Sequence, residues 1–405
     1  MRVNTIETPY RILLDNVHDG QIPVVVRAPG RINLIGEHTD YNGGLAMPAA
    51  INRYLYISVS KRYDDELHLF ATGFDDYQTN LSRLYPQPGA WHTYIQGITA
   101  GLKDQGYQLS GFNLHVCGDI PTGAGLSSSA ALCCGSVMAL DALFGLQIKK
   151  ENMALVAQNA EQQFAGVNCG LMDQYACLFG KRGYALKLDF RTLEFEYVRL
   201  NVETLDLVLL DTGVKHSLAS TEYNQRKIEC NTALEAVRAH FPAVKALNEV
   251  TLDMLYGSVL IPHPVAFKRV RYFLEENKRV TTIAAALERR MLSLVGELLY
   301  ESHQGLSALY NVSCNELDLL ITLAKNEKEI AGARMMGGGF GGCTINLVEK
   351  KAKGILTRIA KAYEEETGIP LKSYRLLTAD GARVLDNRDI RNIRFEENLL
   401  ETINA

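Results

Sequence analysis

Arg31, Glu37, His38 and Asp40 fall within one run, Arg27-Ala28-Pro29-Gly30-Arg31-Ile32-Asn33-Leu34-Ile35-Gly36-Glu37-His38-Thr39-Asp40-Tyr41-Asn42-Gly43-Gly44, that is otherwise mostly small and apolar. Ionised groups in such company must meet each other, water or a polar ligand. Two carboxylates, an imidazole and a Gly43-Gly44 turn suit hydrogen bonding to a polyol such as a sugar. A surface turn with a local Arg–Glu pair is the plainer reading of the same run. A second run, Gly118-Asp119-Ile120-Pro121-Thr122-Gly123-Ala124-Gly125-Leu126-Ser127-Ser128-Ser129-Ala130-Ala131, places glycines and three hydroxyls where a strand gives way to a helix. Backbone N–H groups and a helix N-terminus there can hold a phosphate. The serines can cap the helix, and a hydroxyl can also ligate Mg²⁺ beside a phosphate.

A third run, Gly337-Gly338-Gly339-Phe340-Gly341-Gly342-Cys343, formally matches G-x-G-x-x-G. A dinucleotide fingerprint needs a helix next, whereas a strand pattern, Thr344 to Val348, follows; the P-loop pattern fails because Cys343 stands where Lys is required. The glycines are therefore expected to let this loop pack closely on another backbone, the phosphate loop being the candidate. Two acids complete the set. Asp173, flanked by Leu171, Met172 and Tyr175, is expected to be screened from water and to need a cation; beside Arg and a substrate hydroxyl it is a candidate general base or orienter, a helix cap being the plainer role. Glu161, late in a helix, reads on its own as part of a solvated face.

The elements that carry these residues follow from apolar periodicity. Val24 to Val26 and Tyr54 to Ser60 read as strands, and Phe112, Leu114 and Val116 alternate with Asn113, His115 and Cys117 as in a half-buried strand. Ser127 to Phe144 and Lys149 to Phe164 read as helices ended by Gly145 and Gly166. Tyr184 to Leu200 reads as two strands joined at Phe190-Arg191-Thr192, and Leu205 to Leu210 as one more. Residues 218–240 are helical in pattern and the chain stays largely so to Ile330, with a last helix near 352–366. Strands followed by helices without strict alternation indicate an α+β fold. The expected division is 1–190 and 191–405.

The chain has 405 residues, 47% hydrophobic and 22% charged, with a net charge of −4. That is the balance of a soluble globular protein of two or three domains, with no broad basic face for nucleic acid or anionic lipid. The first residues lack the pattern of a signal peptide, and the most apolar long stretch, 124–140, carries four serines and small side chains unlike a membrane span. Eight cysteines without a Cys-x-x-Cys suggest neither a disulfide framework nor a zinc site. A reduced, cytoplasmic monomer is expected.

Taken together, the segments resemble the GHMP small-molecule kinases and, within them, the galactokinase family, nearly end to end. Arg31 to Gly44 is similar to that family's sugar signature, Pro121 to Ala131 to its phosphate loop and Gly337 to Cys343 to its third motif; Cys169 to Gln174 and Lys215 to Tyr223 also match. The resemblance implies two α+β domains with the active site in the cleft between them, and ATP-dependent phosphorylation of the anomeric hydroxyl of galactose. It implies that Asp173 is the catalytic carboxylate, with Arg31 between that hydroxyl and the γ-phosphate. Glu37, His38, Asp40, Gly170 and Tyr223 would hold the sugar. Gly123, Ala124, Gly125, Leu126, Ser127, Ser128 and Ser129 would cradle ATP, with Trp91 and Tyr94 near the adenine; core packing is the plainer role of those two. A serine of the run, Ser129, and Glu161 would hold Mg²⁺. Asp211-Thr212-Gly213 stands where some relatives carry other polar residues, so Asp211 receives no role. Kinases for N-acetylgalactosamine or L-arabinose, and a sensor that binds galactose and ATP without catalysis, are the alternatives.

Overall fold

The structure is a computed structural model that describes residues 23–121, 123, 125–167, 169–215, 219–255, 264–386 and 389, with only the backbone described at 215 and 219–221. The first sheet is built from β1 (Val24–Asn33), β3 (Pro48–Lys61), β4 (Glu66–Ala71), β5 (Tyr77–Asn80), β6 (Phe112–Gly118) and the late β13 (Arg383–Val384), in the order β13-β1-β3-β6-β4-β5. All its pairings are antiparallel except β4 with β6. A small sheet joins β2 (Leu45–Ala46), β7 (Tyr184–Asp189) and β8 (Glu194–Arg199). A four-stranded sheet orders β10 (Ile330–Met336), β11 (Gly341–Glu349), β9 (Leu205–Lys215) and β12 (Lys372–Leu376) as β10-β11-β9-β12. Mixed, mainly antiparallel sheets with long helices are the α+β class that the sequence pattern indicates.

The longer helices among the described residues are α1 (Thr93–Asp104), α2 (Ser128–Phe144), α3 (Lys150–Gln163), α4 (Met172–Phe179), α5 (Ala219–His240), α6 (Pro264–Glu288), α7 (Leu292–Gln304), α8 (Asn315–Lys325) and α9 (Ile355–Thr367). Gly145 ends α2 in the left-handed conformation at φ 66°, as a glycine after a helix should. Helix α2 lies on β1 and β3, and its Ala131, Cys134, Val137 and Leu140 are wholly buried there. The main apolar cluster runs from Val26 through Val137 to Val280, Leu299 and Ile345, joining the first sheet to the second through α6 and α7.

Two strand readings change. β6 is buried on both faces rather than on one, because Asn113 and Cys117 are buried as well as Phe112 and Leu114; Asn113 is bonded to Ser60 and Arg62, and Phe70 stacks on His115. β10 lies in residues that the apolar pattern did not mark as a strand, and it makes the third glycine run the turn of a β10–β11 hairpin. The β7–β8 hairpin spans residue 190. No helix among the described residues is long and apolar enough to cross a membrane.

Candidate active site

Strand β1 delivers Arg31 to its own C-terminal end, where the Arg31 amide donates to the Leu126 carbonyl at 3.1 Å and so clasps the strand to the second glycine run. From there Arg31 Nε and Nη2 donate to Asp173 Oδ1 and Oδ2 at 2.6 and 2.9 Å, and Nη1 donates to the Gly125 carbonyl at 2.5 Å. Burial disfavours the Arg31 cation, but the charge and hydrogen bonds of Asp173 outweigh it and hold its pKa above the ordinary value. A two-pronged Arg–carboxylate pair fixes both groups in one plane. Asp173 sits in the first turn of α4, with its side chain 23% exposed. Ser127 Oγ donates to Asp173 Oδ2. Ser127 makes no side-chain cap to α2 and stands at φ 58°, a left-handed conformation that costs a non-glycine residue on the order of 1 kcal/mol.

The sugar-signature turn is held from behind. Glu37, 2% exposed, accepts from Asn33 Nδ2 and from the Gly337 amide at 2.6 Å, and lies 3.3 Å from Arg334. Arg334, wholly buried, also donates to the carbonyls of Leu34 and Asn33 at 2.6 Å each. Burial still pushes the Glu37 carboxyl above its ordinary pKa, against the pull of Arg334 and the Gly337 amide. Glu276 on α6 accepts from the Gly36 amide at 3.0 Å. Asp40 is pushed up to about 6, chiefly by burial and also by the charge of Asp173. A Cβ on residue 170 would collide with the Asp40 carboxylate, so a larger residue there must push Asp40 aside.

Among the described residues, the third glycine run bonds through Gly337, Gly338 and Phe340 to the sugar signature and to Val312. It closes on the sugar signature through Gly337–Glu37 and through the Gly338 carbonyl, 3.0 Å from His38 Nε2. At Gly339, φ is +85° and a Cβ would stand 2.0 Å from the Val312 carbonyl oxygen, which receives the Phe340 amide at 2.8 Å.

Glu161 corrects the reading of its own residue pattern. It is only 3% exposed, on the inner face of α3, where it accepts from Gln174 Nε2 at 2.7 Å and from the Ser129 hydroxyl. Burial pushes its carboxyl up to about 7, and the Asp173 charge adds to the rise. A hard-oxygen pair of Ser129 and Glu161 beside a helix N-terminus fits a Mg²⁺ ion, which takes one or two protein oxygens and fills its shell with water and phosphate.

A cavity of about 380 Å³ is lined by Arg31, Glu37, His38, Asp40, Gly170, Asp173 and Tyr223, together with Gly337 and Gly338. The structure thus gathers every sugar-side residue singled out in the sequence around one space, of a size typical for small ligands. Of the nucleotide-side residues, Gly125, Leu126 and Ser127 border Arg31 or Asp173, Ser129 borders Glu161, and Ser128 opens α2. Gly123 lies exposed in the loop, and Ala124 falls outside the described residues, as do residues 216–218 of the Lys215–Tyr223 segment. Trp91 Nε1 donates to the Asp75 carbonyl at 3.2 Å, with Phe74 6.3 Å away ring to ring. Tyr94, whose hydroxyl burial and Glu161 push up to about 12, opens α1. Neither lines the cavity.

Sequence reasoning missed Arg334, Gln174, Glu276 and Tyr41. Their partners lie far along the chain or in turns whose closure no local pattern announces. A larger cavity, about 680 Å³, opens between α7 and α8, but its His303 is satisfied at both nitrogens, by Asp318 at 3.0 Å and the Met335 amide at 3.3 Å.

A mixed six-stranded sheet, an antiparallel four-stranded sheet, a glycine-serine helix mouth and an Arg-paired carboxylate at the edge of a polar cavity define a small-molecule kinase of the GHMP type. Residues 93–181 match the GHMP kinases N terminal domain, 283–365 the GHMP kinases C terminal domain and 16–61 the galactokinase galactose-binding signature. Galactokinase of Thermosipho africanus is 39% identical, the match covering 88% of this chain and 98% of that protein; galactokinase of Bacillus subtilis is 36% identical over 88% and 93%. Lactococcus lactis galactokinase complexed with galactose superposes with a TM-score of 0.88 at 33% identity, covering 92% of this chain and 99% of that one. The chain belongs to the galactokinase family.

Proposed function

We propose that the protein transfers the γ-phosphoryl group of ATP to the anomeric hydroxyl of α-D-galactose, giving α-D-galactose 1-phosphate and ADP. The observation that carries this reading is the Arg31–Asp173 pair. It stands where the sugar-signature cavity meets the second glycine run, with Asp173 facing the cavity and Arg31 bonded to the loop through Gly125. In this reading Asp173 takes the proton of the anomeric hydroxyl as its oxygen bonds to the γ-phosphorus, and the bridging oxygen leaves with ADP. The guanidinium of Arg31 neutralises charge gathering on the transferred group, which is the main help a protein can give this reaction. Ser127, by donating to Asp173 Oδ2, orients the carboxylate.

Glu37, His38, Asp40, Gly170 and Tyr223 frame the hexose. Residues 123–129 cradle the triphosphate, with Trp91 and Tyr94 on the adenine side. Ser129 and Glu161 would hold Mg²⁺, which supplies charge neutralisation on the phosphate oxygens when bound. The division near residue 190 separates the part that carries the sugar signature and phosphate loop from the part that carries the third glycine run.

A coupled ADP-release assay with galactose, N-acetylgalactosamine, L-arabinose and mevalonate side by side tests the assignment. Galactose is expected to give the highest kcat/KM, with galactose 1-phosphate recovered. A higher value for one of the other three, or sugar binding without ADP release, would replace it.

A further inference from the structure

Behind the sugar wall, four hydrogen bonds run in series. His38 Nε2 lies 3.0 Å from the Gly338 carbonyl oxygen and His38 Nδ1 2.8 Å from the Tyr41 hydroxyl. Tyr41 in turn lies 3.0 Å from the Tyr310 hydroxyl, which is 3.1 Å from Cys230 Sγ. Asn42 Nδ2, 3.4 Å from both Cys230 Sγ and the His38 carbonyl, closes the circuit on the turn where it began.

The direction of each proton follows by elimination. A carbonyl only accepts, so Nε2 must carry hydrogen. His38 is buried, faced by the guanidinium groups of Arg226 and Arg269 and by the rings of Tyr41, Tyr223 and Tyr310 at 5.9, 5.2 and 5.1 Å. Burial first, and then the two arginines, lower its pKa to about 4, against the pull of the Gly338 bond, so the ring is neutral and Nδ1 is bare. Tyr41 must then donate to Nδ1, Tyr310 to Tyr41, and Cys230 to Tyr310.

The far end of the chain is firmly mounted. Tyr310 ends a π-helical turn, Gly305–Tyr310, a form that recurs at functional sites. Arg226 Nε and Nη2 hold the carbonyls of Tyr310 and Asn311 at 2.9 and 2.8 Å, and Arg269 Nη1 that of Leu309 at 2.6 Å. Glu229 joins the clamp, 2.6 Å from Arg269 Nε.

We propose that Cys230, Tyr310 and Tyr41 are positioning residues that hold His38 as its Nε2–H tautomer. That hydrogen is held by the Gly338 carbonyl, so the chain of bonds fixes the His38 ring in the cavity wall and ties the third glycine run to it. The functional part of the inference rests on the reading of the cavity as a hexose site.

The test combines kinetics with ¹⁵N-histidine NMR of the ligand-free full chain, the His38 signals being assigned by their loss in His38→Gln. In the unsubstituted protein near neutral pH, Nε2 is expected at the pyrrole-type position and Nδ1 at the hydrogen-bonded pyridine-type position. Tyr41→Phe should move Nδ1 toward the free-pyridine position and raise the KM for galactose by roughly tenfold, as for an abandoned buried acceptor. Neither kcat nor the KM for ATP should follow. The increase should shrink in Tyr310→Phe and again in Cys230→Ala, with Cys230→Ser recovering what Cys230→Ala loses. A proton on Nδ1 in the unsubstituted protein, an unmoved Nδ1 signal in Tyr41→Phe, or equal KM values for Cys230→Ala and Cys230→Ser would each overturn the proposal. Should the protein fail to phosphorylate galactose, the function falls, while the ring-nitrogen signals of the unsubstituted protein still decide the tautomer.

Discussion

On the sugar side of the site, Glu37 has Asn33, the Gly337 amide and Arg334 around it, and His38 is bonded at both ring nitrogens. On the phosphate side, Gly123 and Gly125 are exposed, a Cβ on Gly125 would meet nothing within 4 Å, and the loop is tied down at Leu126, Ser127 and the Gly125 carbonyl. One side is finished before any ligand arrives; the other presents open backbone around a few fixed points. The difference suits the two ligands. A sugar is told from its isomers by the placement of neutral hydroxyls, which requires donors and acceptors set in advance. A triphosphate brings enough charge to complete its own cradle.

The junction between the two sides should be the most sensitive point. Asp173→Asn is expected to lower kcat by about 10³-fold or more, in keeping with loss of a general base and of the Arg31 pair, with ATP affinity nearly unchanged. Full turnover in that variant would remove Asp173 from the chemistry. Next comes Arg334→Met, which leaves the buried Glu37 charge without its cation; the expected loss is about 3–5 kcal/mol in a urea titration. A loss under 1 kcal/mol would mean that the sugar side is less rigidly built than its contacts suggest.

Gly170→Ala should act on one ligand only, since its Cβ would collide with Asp40. A rise of roughly tenfold in the galactose KM, with the ATP KM unmoved, is expected from displacing one acceptor. An equal rise for both substrates would erase the contrast between the two sides. The smallest effect concerns stability. Asp40 titrates near 6 in the folded chain against 3.8 for a free carboxyl, so the folded state holds that proton more tightly. Its favourable contribution is complete below about pH 4 and is lost as pH rises through 6. Asp40→Asn should therefore raise Tm at pH 8 by about 2 °C or more, give no gain at pH 4, and weaken galactose binding. An unchanged Tm at pH 8 would show that Asp40 carries no such penalty.

The α+β class, helices α2 and α3 and the β7–β8 hairpin were legible because each rests on local periodicity and on glycine punctuation. The site residues 31, 37, 38, 40 and 173 were legible for another reason: charged groups in apolar runs have few tolerable fates. Glu161 was misjudged from its pattern alone, since a helix shows its inner face only when the packing partner is known, and that partner is Gln174 on α4. The destination of the third glycine run was likewise hidden. Its glycines announce a close approach, but not that Val312 and the 37–38 turn are what it approaches. Arg334 gave no signal, because the carbonyls and carboxylate that satisfy it lie some three hundred positions earlier.

Among the described residues, strand β1, which carries Arg31, pairs with β3 on one side and with β13 on the other. The same late segment bonds α4 and the residue after it, through Ala382 to Cys177 and Gly381 to Gly180. The strand that carries Arg31 and the helix that carries Asp173 thus both lean on one segment, residues 381–384, far later in the chain. During synthesis the nascent polypeptide can form most of its first sheet, yet the pairing of β1 with β13 waits until residues 383 and 384 have emerged. Early termination near residue 376 would leave Val26 and Arg27 without their partner strand, so messages cut short there should yield products marked for aggregation or proteolysis rather than weakened enzymes.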